Sequence, residues 1–410
     1  MKETVSQIHT TPRIREIPHV SAHAPQATSP DFYTEAVIST SAAVPYDEAL
    51  NWYDFLARPR LPSPSLGALE QLREASTLVT GAGGSIGSAL SMRLATLHPR
   101  RLTLLDASEQ ALHRLQSELA AVQTTTPPRI VLGNVANTAQ LDEILEAHRP
   151  QLIFHAAAYK HVHLLEEHPL EALANNALAT RNLIECATRA YVSRTVLLST
   201  DKAVAPISIL GASKRIAEHI TLASSGVVLR LANVLGTEGS VSETFLRQIA
   251  TGQPITITDP RAERYFLTRE ESVDLLLTSA VAAQPGSLLV PDIDRQQSIA
   301  LLANFLISAC QPQPNPSIVF TGLRPGDKLR EALWESGEHP MPANDLGYLP
   351  IQPQPVNPVH LYQSLLRLDD TIRERDLSRA MEITLQLVPT YTPGLSMLAL
   401  MQTTRGALAR

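Results

Sequence analysis

The chain has 410 residues, of which 44% are hydrophobic and 18% are charged, and its formal net charge is −6. This length allows two domains, or one large domain with extensions, and the composition is ordinary for a soluble globular enzyme. The absence of a basic excess argues against a nucleic-acid partner. No apolar run approaches the ~20 residues of a membrane helix, and MKETVSQIHT lacks the apolar core of a secretory signal. A cytoplasmic enzyme is the simplest prediction.

Two cysteines occur, Cys186 and Cys310, far apart and without the spacing of a metal site. Both fall in apolar helical patterns, which predicts buried free thiols in a reducing compartment.

The first part of the chain shows little periodicity. Residues 1–45 are rich in Pro, Ser, Thr and Ala, and we expect them to be disordered or loosely attached. Residues 46–72 include YDEALNWYDFLARPRL, with apolar and aromatic residues at helical spacing. This segment predicts a short docking helix followed by a Pro-rich connector.

Residues 73–232 alternate between short apolar runs and amphipathic stretches. The runs predict buried parallel strands at 77–80, 102–106, 129–133, 151–156, 195–200 and 226–231. The stretches predict helices around 85–97, 108–121, 138–147, 169–190 and 209–224. Strand–helix alternation with short connections predicts an α/β fold with a Rossmann-type doubly wound parallel sheet.

Beyond residue 232 the alternation loosens. Residues 233–345 mix strands at 254–258 and 287–291 with helices near 270–283, 298–309 and 328–335, as in a smaller, discontinuous substrate-binding lobe interleaved with the Rossmann domain. Residues 346–410 predict a Pro-rich tail that is helical from about 359 to 388.

The first strand leads directly into TGAGGSIG, residues 80–87. Glycines at 81, 84 and 87 permit a tight turn and a close approach of pyrophosphate, and a helix starting at Ser85 and Ile86 directs its free N–H groups at the phosphates. The spacing is G-x-x-G-x-x-G rather than the strict G-x-G-x-x-G, so a plain turn remains an alternative.

Asp106 ends the second strand, where a carboxylate can accept both hydroxyls of a ribose. Ala107 and Ser108 follow it, with no Arg to bind a 2′-phosphate, which favours NAD over NADP. The alternative role for Asp106 is that of a helix N-cap.

The fifth strand ends in Thr200-Asp201-Lys202, at the sheet edge where active-site groups of open α/β sheets lie. A hydroxyl, a carboxylate and an amine here can bind a substrate hydroxyl and move protons, or simply form a polar loop. Lys214, on the following helix, can reach a cofactor ribose and favour loss of a nearby proton. Its alternative is a solvated helix lysine.

Histidines at 155, 161, 163 and 168 cluster with Lys160 in HAAAYKHVHLLEEH. Histidines two residues apart in a loop chelate zinc poorly, and no cysteine joins them, so we predict no metal. Residues of a substrate loop, or charges at a helix end, explain this cluster better.

Six strings resemble, in this order, the CapD-like polysaccharide-biosynthesis proteins: TGAGGSIGSAL, FHAAAYKHVHLLEEHPLEALANN, LLSTDKAVAPISILGASKR, RLANVLGTEGSVSETF, ERYFLT and GLRPGDKL. Those proteins are extended short-chain dehydrogenase/reductases that act as UDP-N-acetylglucosamine 4,6-dehydratases. The similarity covers about residues 55–392. It implies an NAD-dependent lyase that dehydrates a UDP-N-acetylhexosamine for surface polysaccharide or glycan precursors, and a homo-oligomer.

The resemblance also implies roles for individual residues. Thr200 would orient the sugar C4 hydroxyl, Asp201 would be the acid at C6, and Lys202 would be the base at C5, for which a lowered pKa is expected. Cofactor contacts are implied at Asp106, Asn134, Val135, Ala156, Ala157 and Lys214, and substrate contacts at Lys160, His161, Asn233, Arg264 and Arg324.

Three positions depart from the family pattern. Leu210 stands four residues before Lys214, where short-chain dehydrogenases usually carry Tyr, so the C4 proton must leave through another group. Asn134 replaces an Asp near adenine, although an amide can still hydrogen-bond the base edge. His163 stands where the family usually has Pro.

Two alternative functions remain. A UDP-sugar epimerase, or a dehydratase that also epimerises C5, shares the deprotonation of C5. A catalytically silent NAD-binding protein is favoured by Leu210 and disfavoured by the intact trio at 200–202.

Overall fold

The computed structural model describes residues 50–342 and 345–408, with side chains as far as residue 402. The predicted N-terminal extension, residues 1–45, lies outside the described residues. Within them, no helix combines the length and the apolar character that crossing a membrane requires.

A nine-stranded sheet lies at the centre, and three two-stranded ladders lie beside it. The strands are β1 (Ser76–Thr80), β2 (Arg101–Asp106), β3 (Arg129–Leu132), β4 (Leu152–His155), β5 (Arg194–Thr200), β6 (Val227–Leu231), β7 (Asn233–Val234), β8 (Ile255–Ile257), β9 (Glu263–Arg264), β10 (Phe266–Leu267), β11 (Leu288–Pro291), β12 (Gln297–Ser298), β13 (Ile318–Phe320), β14 (His339–Pro340) and β15 (Tyr348–Gln352).

The order across the sheet is β14-β15-β11-β6-β5-β4-β1-β2-β3. Strands β1 to β6 and β11 are parallel, whereas β15 pairs antiparallel with β11, and β14 with β15. The order 3-2-1-4-5-6 is that of a Rossmann sheet. The predicted fold class is therefore confirmed.

Helices cover both faces of the sheet or belong to the smaller lobe and the tail. They are α1 (Trp52–Leu56), α2 (Leu66–Glu74), α3 (Ser85–Thr96), α4 (Glu109–Leu119), α5 (Thr138–His148), α6 (Val162–Glu167), α7 (Pro169–Ala172), α8 (Ala179–Arg189), α9 (Ile209–Ala223), α10 (Val241–Ala250), α11 (Arg269–Ala282), α12 (Ile299–Cys310), α13 (Pro358–Arg373), α14 (Leu377–Leu387) and α15 (Leu395–Leu408). A π-helical turn spans Leu173–Leu178 and a 3₁₀ turn spans Asp201–Ala203.

The six strands predicted for residues 73–232 are present, each within one residue at either end. Their apolar runs are buried because helices cover both faces of a parallel sheet; all five residues of β6, for example, are buried. The predicted docking helix is the short α1, whose Phe55 ring packs 5.4 Å from the ring of Phe266. Of the two free cysteines, Cys186 is buried, as predicted, but Cys310 is only half-buried.

The helix predicted at residues 328–335 is wrong. Residues 328–338 are irregular, and we call them the crossing segment. Three of its backbone groups bond to other elements: Leu329 O accepts from the backbone N of Glu263, Leu333 O accepts from Arg230, and Glu331 N donates to Gln296. These non-local partners replace the i→i−4 bonds that a helix would form.

The single long helix predicted in the tail is also wrong, because the structure has two helices there, α13 and α14. The break between α13 and α14 contains Arg375, whose φ of 59° is left-handed. Helix α15 was not predicted.

The crossing segment is held to the sheet by a buried group of charges, which we call the Arg230 cluster: Arg215, Glu218, Arg230, Glu335 and Glu338. Arg230 is fully buried and donates to both carboxylates of Glu218 and Glu338, at 2.7–2.9 Å. Arg215 donates to the same two carboxylates, at 3.0 and 2.6 Å. Burial alone would raise the pKa of Glu218, but Arg230, Arg215 and Ser199 lower it to about 2.

We expect Arg230→Met to lower the free energy of unfolding by about 3–5 kcal/mol, because it leaves two buried carboxylates short of a partner. Arg373→Met is the control, since Arg373 pairs with Asp369 on the exposed side of α13 and its loss costs less than about 1 kcal/mol. Urea unfolding measures both. Glu338→Gln replaces Arg230→Met if the latter does not fold. Equal stabilities of test and control variants would refute this role of the cluster.

Candidate functional site

The glycine turn between β1 and α3 leaves no room for side chains. Gly81 has a φ of +68°, and a Cβ there would lie 2.5 Å from the backbone N of Ala157. A Cβ on Gly87 would collide with the carbonyl oxygen of Gly81. Gly84 is the N-cap of α3 and offers no side-chain cap. The N-terminal N–H groups of α3 are therefore left for an anion that approaches the turn.

Asp106 is tied to this turn. Its Oδ2 accepts from the backbone N of Gly83, and its Oδ1 accepts from the backbone N of Ser108, both at 2.9 Å. Ser108, not Asp106, is the N-cap of α4, because its hydroxyl accepts from Ala111 N. The N-cap alternative for Asp106 is therefore wrong.

A cavity of about 160 Å³ adjoins the turn and is lined by Gly83, Ser85, Ser88, Ala111, Arg114, Leu115, Glu118, Glu238 and Arg269. Lys160 lies across this region, with Nζ bonded to the hydroxyl of Ser85 and the carbonyl of Glu238. Burial lowers the pKa of Lys160, against the opposing effect of Glu238 and Glu243. His161 lies beside Gly239 of the same loop as Glu238. The glycine turn and the two predicted substrate residues thus share one region.

The other predicted cofactor residues follow β3 and β4. Asn134 is exposed, and its Oδ1 accepts from Ala136 N at 2.8 Å, which stabilises the local turn. Val135 is buried, whereas Ala156 and Ala157 are half-buried beside the glycine turn.

His155, directly before these alanines, is held between two threonines. The hydroxyl of Thr180 donates to Asn176 O, so it can only accept from His155 Nε2 (3.0 Å). His155 Nδ1 therefore accepts from Thr80, at 2.7 Å. Burial, reinforced by Lys214, lowers the pKa of His155 to about 3. This histidine is a neutral structural group.

The predicted trio lies where β5 passes into the 3₁₀ turn. Asp201 is fully buried, and its Oδ1 accepts from Thr200 Oγ1 and from Lys202 Nζ, both at 3.0 Å. Its Oδ2 is buried without a hydrogen-bond partner among the described residues. Lys202 Nζ also donates to Asn233 Oδ1 at 3.3 Å. Four of the predicted site residues therefore meet in one contiguous hydrogen-bonded group.

The expected lowering of the pKa of Lys202 is not found. Burial acts to lower it, but Asp201 and Glu331 outweigh burial, so the pKa is raised. Glu331 is a residue that the sequence analysis missed; its Oε1 lies 3.8 Å from Lys202 Nζ. Glu331 lies two residues after the motif GLRPGDKL, and this proximity was the one signal in the sequence that could have identified it.

Lys214 behaves in the opposite way. It is buried on α9 with Nζ donating to Leu198 O of β5 at 2.7 Å, and burial lowers its pKa to about 8, with Glu218 opposing. The alternative of a solvated lysine is therefore wrong. Leu210, one turn earlier, is buried in the apolar cluster between α9 and the tail.

The two predicted arginines lie in different surroundings. Arg264 is buried, and its guanidinium donates to the carbonyls of Glu263, Lys328 and Leu329, so it supports the crossing segment in this structure. Arg324 is exposed, and among the described residues its side chain has no hydrogen bond or ion pair.

The histidines do not assemble a metal centre in the part of the chain that is described. His155 is committed to Thr80 and Thr180, and the rings of His161 and His163 are 6.3 Å apart. No group of three or more His, Cys, Asp or Glu in residues 50–342 and 345–408 is placed to hold an ion.

Solved structures share this fold. Pen from Bacillus thuringiensis is 26% identical with a TM-score of 0.64, over 69% of this chain and 90% of that chain. DesIV, a dTDP-glucose 4,6-dehydratase from Streptomyces venezuelae solved with NAD and TYD bound, is 22% identical with a TM-score of 0.56, over 62% of this chain and 85% of its own. The second likeness concerns the fold alone.

Sequence comparisons place the chain in a family. Residues 77–347 match the family model described as "Polysaccharide biosynthesis protein". The capsular polysaccharide biosynthesis protein CapD of Staphylococcus aureus is 38% identical over 66% of this chain, which spans about half (47%) of CapD. A UDP-glucose 4-epimerase of Rickettsia rickettsii is 32% identical over 66% of this chain and 84% of its own length. The chain belongs to the polysaccharide biosynthesis protein family, as a CapD-like member of the extended short-chain dehydrogenase/reductases.

Proposed function

We propose that this protein is an NAD-dependent nucleotide-sugar 4,6-dehydratase that acts on UDP-N-acetylglucosamine, in the synthesis of surface polysaccharide or glycan precursors. One observation carries the proposal: a buried Asp201 is hydrogen-bonded to both Thr200 and Lys202 at the carboxyl end of β5. A carboxyl group and an amine in contact are what a reaction needs when one carbon loses a proton and its neighbour loses a hydroxyl.

The residues around the glycine turn fit NAD. Gly81 and Gly87 form a cradle that a Cβ would fill, and the N-terminus of α3 suits a pyrophosphate. Asp106 lies beside the turn as a ribose ligand, and Lys214 is buried with one hydrogen bond to Leu198, so further donors remain for ribose hydroxyls. Bound NAD would accept hydride from sugar C4 and later return it to C6, so that cofactor is regenerated in each turnover.

The Asp201–Lys202 pair supplies the acid and the base. With Lys202 as an ammonium, one proton lies between Nζ and Oδ1, which are 3.0 Å apart. Its transfer to Asp201 produces a neutral amine and a carboxylic acid. Once C4 is a ketone, Lys202 Nζ takes the C5 proton while Asp201 gives its proton to the departing C6 hydroxyl, which leaves as water. The pair is then an ammonium and a carboxylate. As hydride returns to C6, the Lys202 ammonium gives a proton to C5. One proton from solvent then restores the pair, and it balances the proton that the C4 hydroxyl released to solvent when it was oxidised.

Substrate contacts are proposed at five residues, of which Asn233 touches this pair. Asn233 contacts Lys202 directly, and Lys160 and His161 lie between the glycine turn and the loop containing Glu238. Arg324 is an exposed guanidinium suited to the UDP diphosphate. Arg264 would bind UDP through a donor left over from its three carbonyl contacts.

A second candidate is a UDP-sugar epimerase, with or without dehydration. The similarity to a protein named UDP-glucose 4-epimerase over 84% of that protein's length favours it. A silent NAD-binding protein is the third candidate, favoured by the apolar residue at position 210.

Incubation of the purified protein with NAD and UDP-N-acetylglucosamine in deuterated water separates these functions. We expect a 4-keto-6-deoxy product with deuterium at C5, whose configuration shows retention or inversion. Asp201→Asn and Lys202→Met should each lower turnover by about 10²–10⁴-fold, because each removes a proton-transfer group. Arg330→Gln is the control, since Arg330 is exposed and pairs with Glu263.

Other outcomes contradict the proposal. Deuterium uptake without loss of water indicates epimerisation at C5, and a C4 epimer without deuterium indicates epimerisation at C4. The absence of turnover with any UDP- or dTDP-hexose would favour the silent NAD-binding protein. Full turnover in both trio variants would show that the pair is not catalytic.

NAD binding tests the glycine turn separately. Gly81→Ala places a Cβ against Ala157 at a left-handed φ, at a conformational cost of about 1–2 kcal/mol before any clash. We expect its NAD affinity to fall at least tenfold by isothermal titration calorimetry. Gly67→Ala is the matched control, because Gly67 lies in α2 with nothing within 4 Å of the added carbon. Unchanged affinity in Gly81→Ala would remove the turn from the cofactor site.

A further inference from the structure

Glu331 occupies a position between two lysines. It is 5% exposed, with Oε1 3.8 Å from Lys202 Nζ and Oε2 3.3 Å from Lys328 Nζ. Lys328 is fixed in turn, because its ammonium donates to Val204 O at 2.7 Å, immediately after the 3₁₀ turn. Glu331 Oε2 is buried and has no hydrogen-bond partner among the described residues. The carboxylate thus lies near the ammonium groups of Lys202 and Lys328 and interacts with both electrostatically, without a hydrogen bond to either.

The side chain of Glu331 is not what holds the crossing segment in place. Its backbone N donates to Gln296 Oε1 at 3.1 Å, and its carbonyl accepts from Gln296 Nε2 at 2.9 Å. Two residues further on, Leu333 O accepts from Arg230. Because the backbone is anchored on both sides, a neutral side chain of the same shape at 331 should leave the segment where it is.

Charged and polar groups reach Lys202 from each element packed against it. Asp201 lies next to it in the 3₁₀ turn, Asn233 approaches from β7, Arg264 from β9, and Glu331 from the crossing segment. Arg264 acts to lower the pKa of Lys202, while Asp201 and Glu331 act to raise it. Asp201 is the partner in the proposed proton transfer, so Glu331 is the remaining carboxylate that favours the ammonium form of Lys202.

We propose that Glu331 is a positioning residue. Between turnovers its carboxylate keeps Lys202 protonated and in contact with Asp201 and Asn233. The consequence of this role for catalysis rests on the proposed dehydratase function. A second negative charge beside the ammonium favours the ionic form of the Asp201–Lys202 pair, the form in which each cycle ends. A ligand that brings its own positive charge or excludes water then shifts the proton towards Asp201, so the base is released when the site is filled.

The chain has only five lysines, at positions 2, 160, 202, 214 and 328, which makes a direct test practical. The full-length protein is labelled with [ε-¹³C]lysine and titrated without ligand, and the Lys202 signal is assigned by its loss in Lys202→Met. In the unsubstituted protein, we expect Lys202 to keep its ammonium shift to the highest pH at which circular dichroism shows a folded chain. In Glu331→Gln, its titration should move about 1–2 pH units lower, with Glu331→Asp in between.

Arg330→Gln is the control, because it removes a charge from the adjacent, exposed position and should leave the Lys202 titration unchanged. Identical titrations of Lys202 in Glu331→Gln and in the unsubstituted protein, both folded, would overturn the proposal. This readout needs no turnover, so a shifted Lys202 in a protein without dehydratase activity refutes only the proposed function.

The pH profile of kcat provides the second readout. The competent pair holds one shared proton, and loss of that proton at high pH removes the acid. A weaker hold on the proton should therefore move the basic limb of the profile to lower pH in Glu331→Gln, with KM little changed. A uniform loss of kcat at every pH, with the limb in place, would indicate a merely structural role and would also overturn the proposal.

Discussion

The burial of Arg230 is the constraint on which the candidate site depends. A guanidinium with no exposed surface requires carboxylates on both sides, and here Glu218 comes from α9 and Glu338 from the crossing segment. Satisfying this one cation therefore fixes the segment that contains Glu331 against the sheet. The cluster also reaches the end of β5, because Ser199, directly before the trio, donates to Glu218 at 2.6 Å. Glu335 extends it by accepting from Ala205 N and from Thr390 in the tail.

The two lysines of the site show that its chemistry depends on the groups that the fold brings next to them. Lys202 is half-buried and Lys214 is buried, yet the pKa of Lys202 is raised and that of Lys214 is lowered to about 8. The difference lies in their neighbours, since two carboxylates approach Lys202 whereas the Nζ of Lys214 contacts a backbone carbonyl. Lysine responds to its surroundings in this way and arginine does not.

Sequence patterns predicted the parts of the structure that local forces determine. Buried apolar runs gave the strands from β1 to β6, and glycines without room for a Cβ gave the turn beside Ala157. The crossing segment could not be predicted, because the sequence of residues 328–335 is compatible with a helix. The segment is irregular because distant residues such as Arg230 and Gln296 form hydrogen bonds with its backbone. The wrong direction for the pKa of Lys202 has two causes. Asp201, its neighbour in the sequence, acts more strongly to raise the pKa, and Glu331 adds to this effect but comes near Lys202 only through the fold.

Leu210 bears on where proton transfer can occur. Its side chain is buried among apolar residues of α9 and the tail, so no phenol is available one turn before Lys214. The trio, in contrast, forms an unbroken chain of polar contacts: Thr200 Oγ1 donates to Asp201 Oδ1, which also accepts from Lys202 Nζ. A sugar hydroxyl bound at Thr200 would join this chain at its first member. Under the proposed function, proton movement is therefore concentrated at the end of β5, which is the element that the Arg230 cluster anchors through Ser199.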